Sequence, residues 1–239
     1  MRQVLVTGGG TGIGKAIAHA FADAGDAVTI AGRRQEPLEK AAEGRAIAWR
    51  TADVTVETEV EALFAHAFDV VVANAGGGVS GKLAKTTLDD WNATLAVNLT
   101  GTFLTFRAAL PGMTAGGRLI AIASTAALEG NASVPAYTAA KHGVLGLVRS
   151  VALEVAKSGV TCNAICPGFT DTALAETAIT GVMARFEADR AAATKIVADA
   201  NPQARLIDTD EVAAAALFLA SAGARSVNGH ALSLSGGAI

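Results

Sequence analysis

The run Val4-Leu5-Val6-Thr7-Gly8-Gly9-Gly10-Thr11-Gly12-Ile13-Gly14 decides how the rest of the chain is read. Its apolar start predicts a short buried strand and its glycines a tight turn. The spacing of Ile13, Ile17, Ala20 and Phe21 predicts a helix beginning near Lys15. A glycine-rich turn from strand to helix lets main chain approach a pyrophosphate, and the helix start adds free N–H groups and a positive dipole end. The spacing of Gly8, Gly12 and Gly14 differs from the G-x-G-x-x-G dinucleotide fingerprint. Glycines also serve ordinary turns, so this turn gains its weight from the strands and helices around it.

Working outward, short apolar or β-branched runs recur at 3–7, 27–31, 46–50, 70–73, 118–123, 160–165 and 231–234. Segments with helical periodicity lie between them, as in Val144, Leu147, Val148, Val151 and Val155. Strands alternating with helices imply a parallel sheet covered on both faces, because right-handed crossovers lay a helix over each strand pair. The expected fold class is α/β: a single Rossmann-type doubly wound domain over 1–239, with a seven-stranded parallel sheet and helices on both faces. Ligands of such sheets bind at the carboxyl ends of the strands.

Composition removes several function classes. The 239 residues are 51% hydrophobic and only 17% charged, which excludes a disordered chain. A net charge of −3 offers no electrostatic footprint for nucleic acid or an anionic membrane. The N-terminus lacks the apolar core of a signal peptide, so a cytoplasmic protein is expected. The apolar run 212–224 has 13 residues, short of the ~20 that a spanning helix needs, and reads as a buried helix. Cys162 and Cys166 share one strand, roughly 13 Å apart at about 3.3 Å per residue, too far for a disulfide. They read as packing residues, and no metal site is expected.

The second strand ends in Gly32-Arg33-Arg34. An acid at such a tip binds the adenine ribose 2′-OH of NAD, whereas arginine accommodates a 2′-phosphate. The pair therefore favours NADP(H) over NAD(H). Further on, a strand ends at Ser124, Tyr137 follows, and Lys141 comes one helical turn later. Residues i and i+4 share a helix face. A phenol is a poor acid-base group at neutral pH, and a neighbouring cation moves it toward the working range. Ser124, at a strand's carboxyl end, can donate to a carbonyl oxygen. His142 points about 100° away from Lys141 around the helix and is not needed.

These residues resemble the short-chain dehydrogenase/reductase family over essentially the whole length. The pattern comprises Thr7-Gly-x-x-x-Gly12-Ile-Gly14, Asp53-Val54, Asn74-Ala-Gly76, Asn98, Ser124, Tyr137-x-x-x-Lys141, and Pro167-Gly168 with Thr172. The resemblance implies that Tyr137 exchanges a proton with a carbonyl or alcohol. Lys141 would bind the nicotinamide ribose and lower the pKa of Tyr137, Ser124 would polarise the substrate oxygen, and Asn98 would hold a relay water. Gly8, Thr11, Gly12, Ile13, Gly14, Arg33 and Arg34 would hold the dinucleotide phosphates. Asp53 and Val54 would border the adenine, and Asn74, Ala75 and Gly76 would line the adenosine ribose. Pro167, Gly168, Thr170 and Thr172 would embrace the nicotinamide. In three places the chain departs from the pattern. Ala73 replaces the first Asn of Asn-Asn-Ala-Gly, Thr11 stands where many NADP-linked members are basic, and 41–69 is short, implying trimmed helices around the third strand.

The alanine-rich stretch 173–201 is expected to form a lid over the substrate, with 128–134 as another pocket wall. The tail resembles that of members acting on 3-oxoacyl or 3-hydroxyacyl thioesters and related ketones. A small carbonyl or alcohol substrate is therefore expected, with no nucleic-acid or membrane partner. The helices near 99–110 and 139–155 imply a homotetramer or homodimer. A catalytically silent nucleotide sensor is the alternative, against which the complete Asn98, Ser124, Tyr137 and Lys141 set argues. A sugar-nucleotide enzyme of the extended branch would need more chain than the 235–239 that follows the last strand.

Overall fold

The computed structural model describes residues 1–239. Seven parallel strands form one sheet in the order β3-β2-β1-β4-β5-β6-β7. They are β1 (Gln3–Thr7), β2 (Ala27–Gly32), β3 (Ile47–Thr51), β4 (Val70–Ala73), β5 (Arg118–Ile122), β6 (Thr161–Pro167) and β7 (Ala231–Leu234). The direction of winding reverses between β1 and β4, which pair Val4 with Val70 and Val6 with Val72. That reversal opens the crevice where doubly wound sheets take their ligands.

Strand periodicity explains the two cores. Leu5, Val71, Leu119, Ala121, Cys162, Ala164 and Cys166 point to one face. There they meet α5 (Gly101–Ala109) and α6 (Pro135–Val155) through Phe106, Val144 and Val148. Val4, Val6, Val70, Val72, Ile120 and Ile122 point to the other. Here they meet α1 (Gly12–Asp23), α2 (Gln35–Ala42) and α9 (Thr209–Leu219) through Ile17, Phe21, Leu38 and Leu219. Both faces are apolar, as sequential parallel strands require. Cys162 and Cys166 are buried and unbonded packing residues, as expected.

Two helix boundaries differ from the sequence expectation. The first helix begins at Gly12 rather than near Lys15, so the end of the glycine turn is already helical. The apolar run 212–224 is helical only to Leu219 and ends in a 3-10 turn at Ala222–Ala224. Around β3 the helices are short, with 8 residues in α2 and 7 in α3 (Glu57–Leu63), as the shortened stretch implied. The stretch expected to form a lid folds as two helices, α7 (Ala173–Phe186) and α8 (Arg190–Ala198). No helix is long and apolar enough to cross a membrane.

One core residue is out of place. Arg118 is 5% exposed at the start of β5 and has no carboxylate partner, while Thr161 lies beside it in register. Its Nη1 donates to the Gly117 carbonyl at 2.9 Å, but its Nε and the Thr161 hydroxyl have no partner. Burial and the nearby Arg2 charge push its pKa down. A buried uncompensated charge favours an apolar replacement of similar shape. Arg118→Met should leave stability unchanged or raise it by about 1 kcal/mol in urea unfolding; a loss beyond about 2 kcal/mol would show that the guanidinium holds a necessary contact.

Candidate active site

The glycine turn is shaped by what glycine lacks. Gly8 has φ of 66°, and a Cβ there would lie 2.9 Å from Ala75 Cα. A Cβ on Gly14 would run into the Gly8 carbonyl and the Asn74 amide. Asn74 closes the gap: its Nδ2 donates to the carbonyls of Thr7 (2.9 Å) and Gly8 (3.2 Å). The Thr7 hydroxyl accepts the main-chain N–H groups of Asn74 (3.0 Å) and Ala75 (3.2 Å). The Asn74 amide nitrogen is thus committed to the turn, while its Oδ1 keeps its acceptor capacity.

Thr11 precedes α1 in extended conformation without a side-chain cap, leaving the helix start without a protein partner from that hydroxyl. Arg33 and Arg34 are exposed at the tip of β2, and neither forms an ion pair. The Arg33 charge reaches Asp53. Against the burial that raises it, hydrogen bonds from Thr55 and that charge hold the Asp53 carboxyl below its usual range. Val54 is buried against Gly101.

Beyond Pro167, the chain crosses back over the turn. The Gly168 N–H donates to Leu234 O at 2.9 Å, and the hydroxyls of Thr170 and Thr172 donate to the carbonyls of Gly168 and Thr170. Thr172 opens α7, and its methyl would lie 3.2 Å from a Cβ on Gly12. The turn expected to hold the phosphates and the loop expected to embrace the nicotinamide therefore approach each other closely at Gly12. Buried Asn201, which the sequence reading missed, donates to Phe169 O (3.1 Å) and Arg205 O (2.8 Å) and ties the end of the lid to this loop.

Ser124, Tyr137 and Lys141 come together behind this groove. Ser124 follows β5, and its Oγ accepts the Ala126 N–H at 3.2 Å while lying within reach of the Tyr137 hydroxyl. Lys141 is 4% exposed, and its Nζ donates to Ile122 O at 2.8 Å, 5.4 Å from the Tyr137 ring centre. Burial pushes the Lys141 ammonium down to about 8. Burial pushes the Tyr137 phenol up, and the Ser124 hydroxyl offsets only part of that.

Asn98 sits in a π turn, Ala96–Thr100, between α4 (Leu88–Leu95) and α5. Such turns widen a helix by one residue and recur at functional sites. Its fully buried amide donates to Thr94 O (2.9 Å) and Gly77 O (2.5 Å), and its Oδ1 accepts the Gly77 N–H at 3.3 Å. A Cβ on Gly76 would lie 2.6 Å from Asn98 Oδ1 and 3.5 Å from Lys141 Nζ. Asn98 thus latches the loop after β4 beside Lys141, and its side chain is taken up by Gly77. The sequence reading also missed the roles of Gly77 and of the Thr7 hydroxyl; the Gly76-Gly77-Gly78 run was the available signal. His142 is exposed and bonds only Thr138 O, at 3.0 Å, as its direction implied.

Comparison with known proteins gives this geometry a lineage. A family model described as enoyl-(acyl carrier protein) reductase matches residues 8–238. D-beta-hydroxybutyrate dehydrogenase of Cupriavidus necator is 35% identical over 253 residues, covering 99% of this chain and 97% of its own. The chain belongs to the short-chain dehydrogenase/reductase family. Another curated member of similar likeness is the 3-oxoacyl-[acyl-carrier-protein] reductase FabG of Vibrio harveyi, at 35% identity over 98% of this chain and 95% of its own. The solved structure of actinorhodin polyketide ketoreductase with NADPH superposes with a TM-score of 0.94 at 32% identity, covering 99% of this chain and 97% of that one. As a short-chain dehydrogenase/reductase the chain is an oxidoreductase.

The buried Lys141 sets activity against stability. Its folded-state pKa of about 8 lies below the ordinary 10.5, so the folded state takes up fewer protons than the unfolded state between those values. Burying the charge costs stability below pH 8, and that cost fades as pH rises to 10.5. Lys141→Met should stabilise the fold at pH 7 by on the order of 1–3 kcal/mol. Its advantage in denaturant unfolding should shrink across that pH window, while turnover is lost.

Proposed function

We propose that the chain is an NADP(H)-linked oxidoreductase interconverting a ketone and a secondary alcohol, with 3-oxoacyl or 3-hydroxyacyl thioesters among the candidate substrates. The convergence of Ser124, Tyr137 and Lys141 beside the glycine turn carries this reading. When bound, the dinucleotide supplies the hydride that reaches the carbonyl carbon. Tyr137 gives its hydroxyl proton to the carbonyl oxygen, and Ser124 donates a hydrogen bond to that oxygen. Lys141 stays protonated below about pH 8 and stabilises the phenolate left behind. Asn98 keeps the loop after β4 against Lys141, so it acts by position.

The cofactor choice rests on Arg33 and Arg34, which are exposed, unpaired and of the right shape for a 2′-phosphate. The uncapped start of α1 and the absent side chains of the turn suit a pyrophosphate. The bound NADPH of the actinorhodin ketoreductase adds support. The two helices α7 and α8 serve as the lid within one catalytic domain. Exposed Phe103 and Leu153 on α5 and α6 favour a homodimer or homotetramer.

Tyr137→Phe should lower the turnover of any reducible ketone by about 10³-fold or more with an unchanged melting temperature. Retained turnover would defeat the assignment. A raised Tyr137 and a Lys141 near 8 mean that both groups are protonated at neutral pH. Ketone reduction should therefore be flat from pH 6 and fall above about pH 8, whereas alcohol oxidation should climb with pH. Arg33→Ala should raise KM for NADPH roughly tenfold and leave KM for NADH nearly unchanged; a wild-type enzyme that strongly prefers NADH would refute this role for the arginines.

A further inference from the structure

Building on the proposed carbonyl reduction, we infer that the substrate is a bulky, uncharged ketone held by apolar contact, and not a short oxo acid held by its carboxylate. The segments beside Tyr137 leave room. Gly78 is filled by that side chain, since its Cβ would lie 3.2 Å from the Tyr137 ring. The same loop is tied across to the segment before α6, where the Gly81 N–H donates to Ser133 O at 2.7 Å. Around this tie, Cβ atoms on Gly77, Gly81 and Gly130 would meet nothing within 4 Å. The two loops that meet beside Tyr137 are therefore thinly furnished at these three positions, where added side chains would meet no protein atom.

The loops after β4 and β6 expose large apolar side chains. Val79, next to Gly78, is 60% exposed, and Leu174, two residues past Thr172, is 54% exposed. Leu83 and Phe169 are also exposed on the same two segments. Large apolar side chains left in water beside a reactive group are contact surface for an apolar ligand.

Charge points the same way. Lys141 is the cation that the structure sets beside Tyr137, and it is buried with its Nζ on Ile122 O. Lys82, between Gly81 and Leu83, and Lys85 are exposed and form no ion pair, so their ammonium groups stand in water and are not buried partners for a bound carboxylate. The segments 128–134 and 168–172 contribute Glu129 and Asp171, both carboxylates. A short oxo acid bound at Tyr137 would bury its own carboxylate without a dedicated partner, which is costly. An uncharged ketone meets no such cost and gains from covering the exposed apolar side chains.

The test uses the full-length chain with NADPH and a matched pair of substrates, acetoacetate and its ethyl ester, beside a series of methyl ketones from 2-butanone to 2-nonanone. The ester should exceed the acid in kcat/KM by about tenfold or more, and the series should climb roughly two- to fourfold per methylene, the upper figure matching a fully buried CH₂. Val79→Lys should narrow the ester-to-acid ratio at least threefold at an unchanged melting temperature. Acetoacetate reduced as well as its ester, or a flat series, overturns the inference. If that acetoacetate activity is abolished in Tyr137→Phe, the reductase reading stands and only the substrate inference falls. No reduction of any ketone with either NADPH or NADH overturns both.

Discussion

The architecture turns on one close approach, that of the start of α1 to the ends of β1 and β4. Gly8 and Gly14 make it sterically feasible, and Asn74 holds it through two main-chain carbonyls of the turn. Every other part of the site is referred to that contact. The loop after β4 leaves Asn74 and is caught by Asn98. The loop after β6 passes over Gly12 through Thr172. A methyl group at Gly14 would push the helix away from the strand ends and disturb both loops at once.

Much of this was legible in the sequence because it depends on residue type and spacing. The alternation of Val4, Leu5 and Val6 between two cores follows from strand geometry. The placement of Lys141 over Tyr137 follows from the helical repeat. What could not be read depends on partners distant in the chain. The residue type of Asn74 does not tell that its amide nitrogen donates to Thr7 and Gly8 across the turn. Nor does the sequence around Asn98 show the π turn that directs its amide to Gly77. Asn201 showed no local signal, since its value lies in carbonyls 32 and 4 residues away. Helix boundaries slipped for a similar reason: whether Gly12 joins the turn or the helix is settled by packing, not by its own propensity.

The acid-base pair shows that proximity and electrostatic effect are separate quantities. Lys141 lies over the Tyr137 ring, yet the phenol is pushed up by burial, with the Ser124 hydroxyl pulling the other way. A protonated phenol beside a protonated amine suits proton donation. The same burial disfavours the phenolate at neutral pH, so desolvation and not the count of nearby charges sets the protonation state of this hydroxyl.

The attachment of α7 and α8 has a mechanical consequence. The chain enters these helices at Thr172, beside Gly12, and leaves them at Asn201, which is bonded to Phe169 and Arg205. Each junction is also bonded into the span it bounds, Thr172 O accepting the Glu176 N–H and the Asn201 N–H reaching Ala198 O, while Leu206 packs against Ile179, Ala193 and Val197. The two helices are therefore hung between fixed points. A shift of either one pulls on the loop after β6 and, through Thr172, on the glycine turn itself.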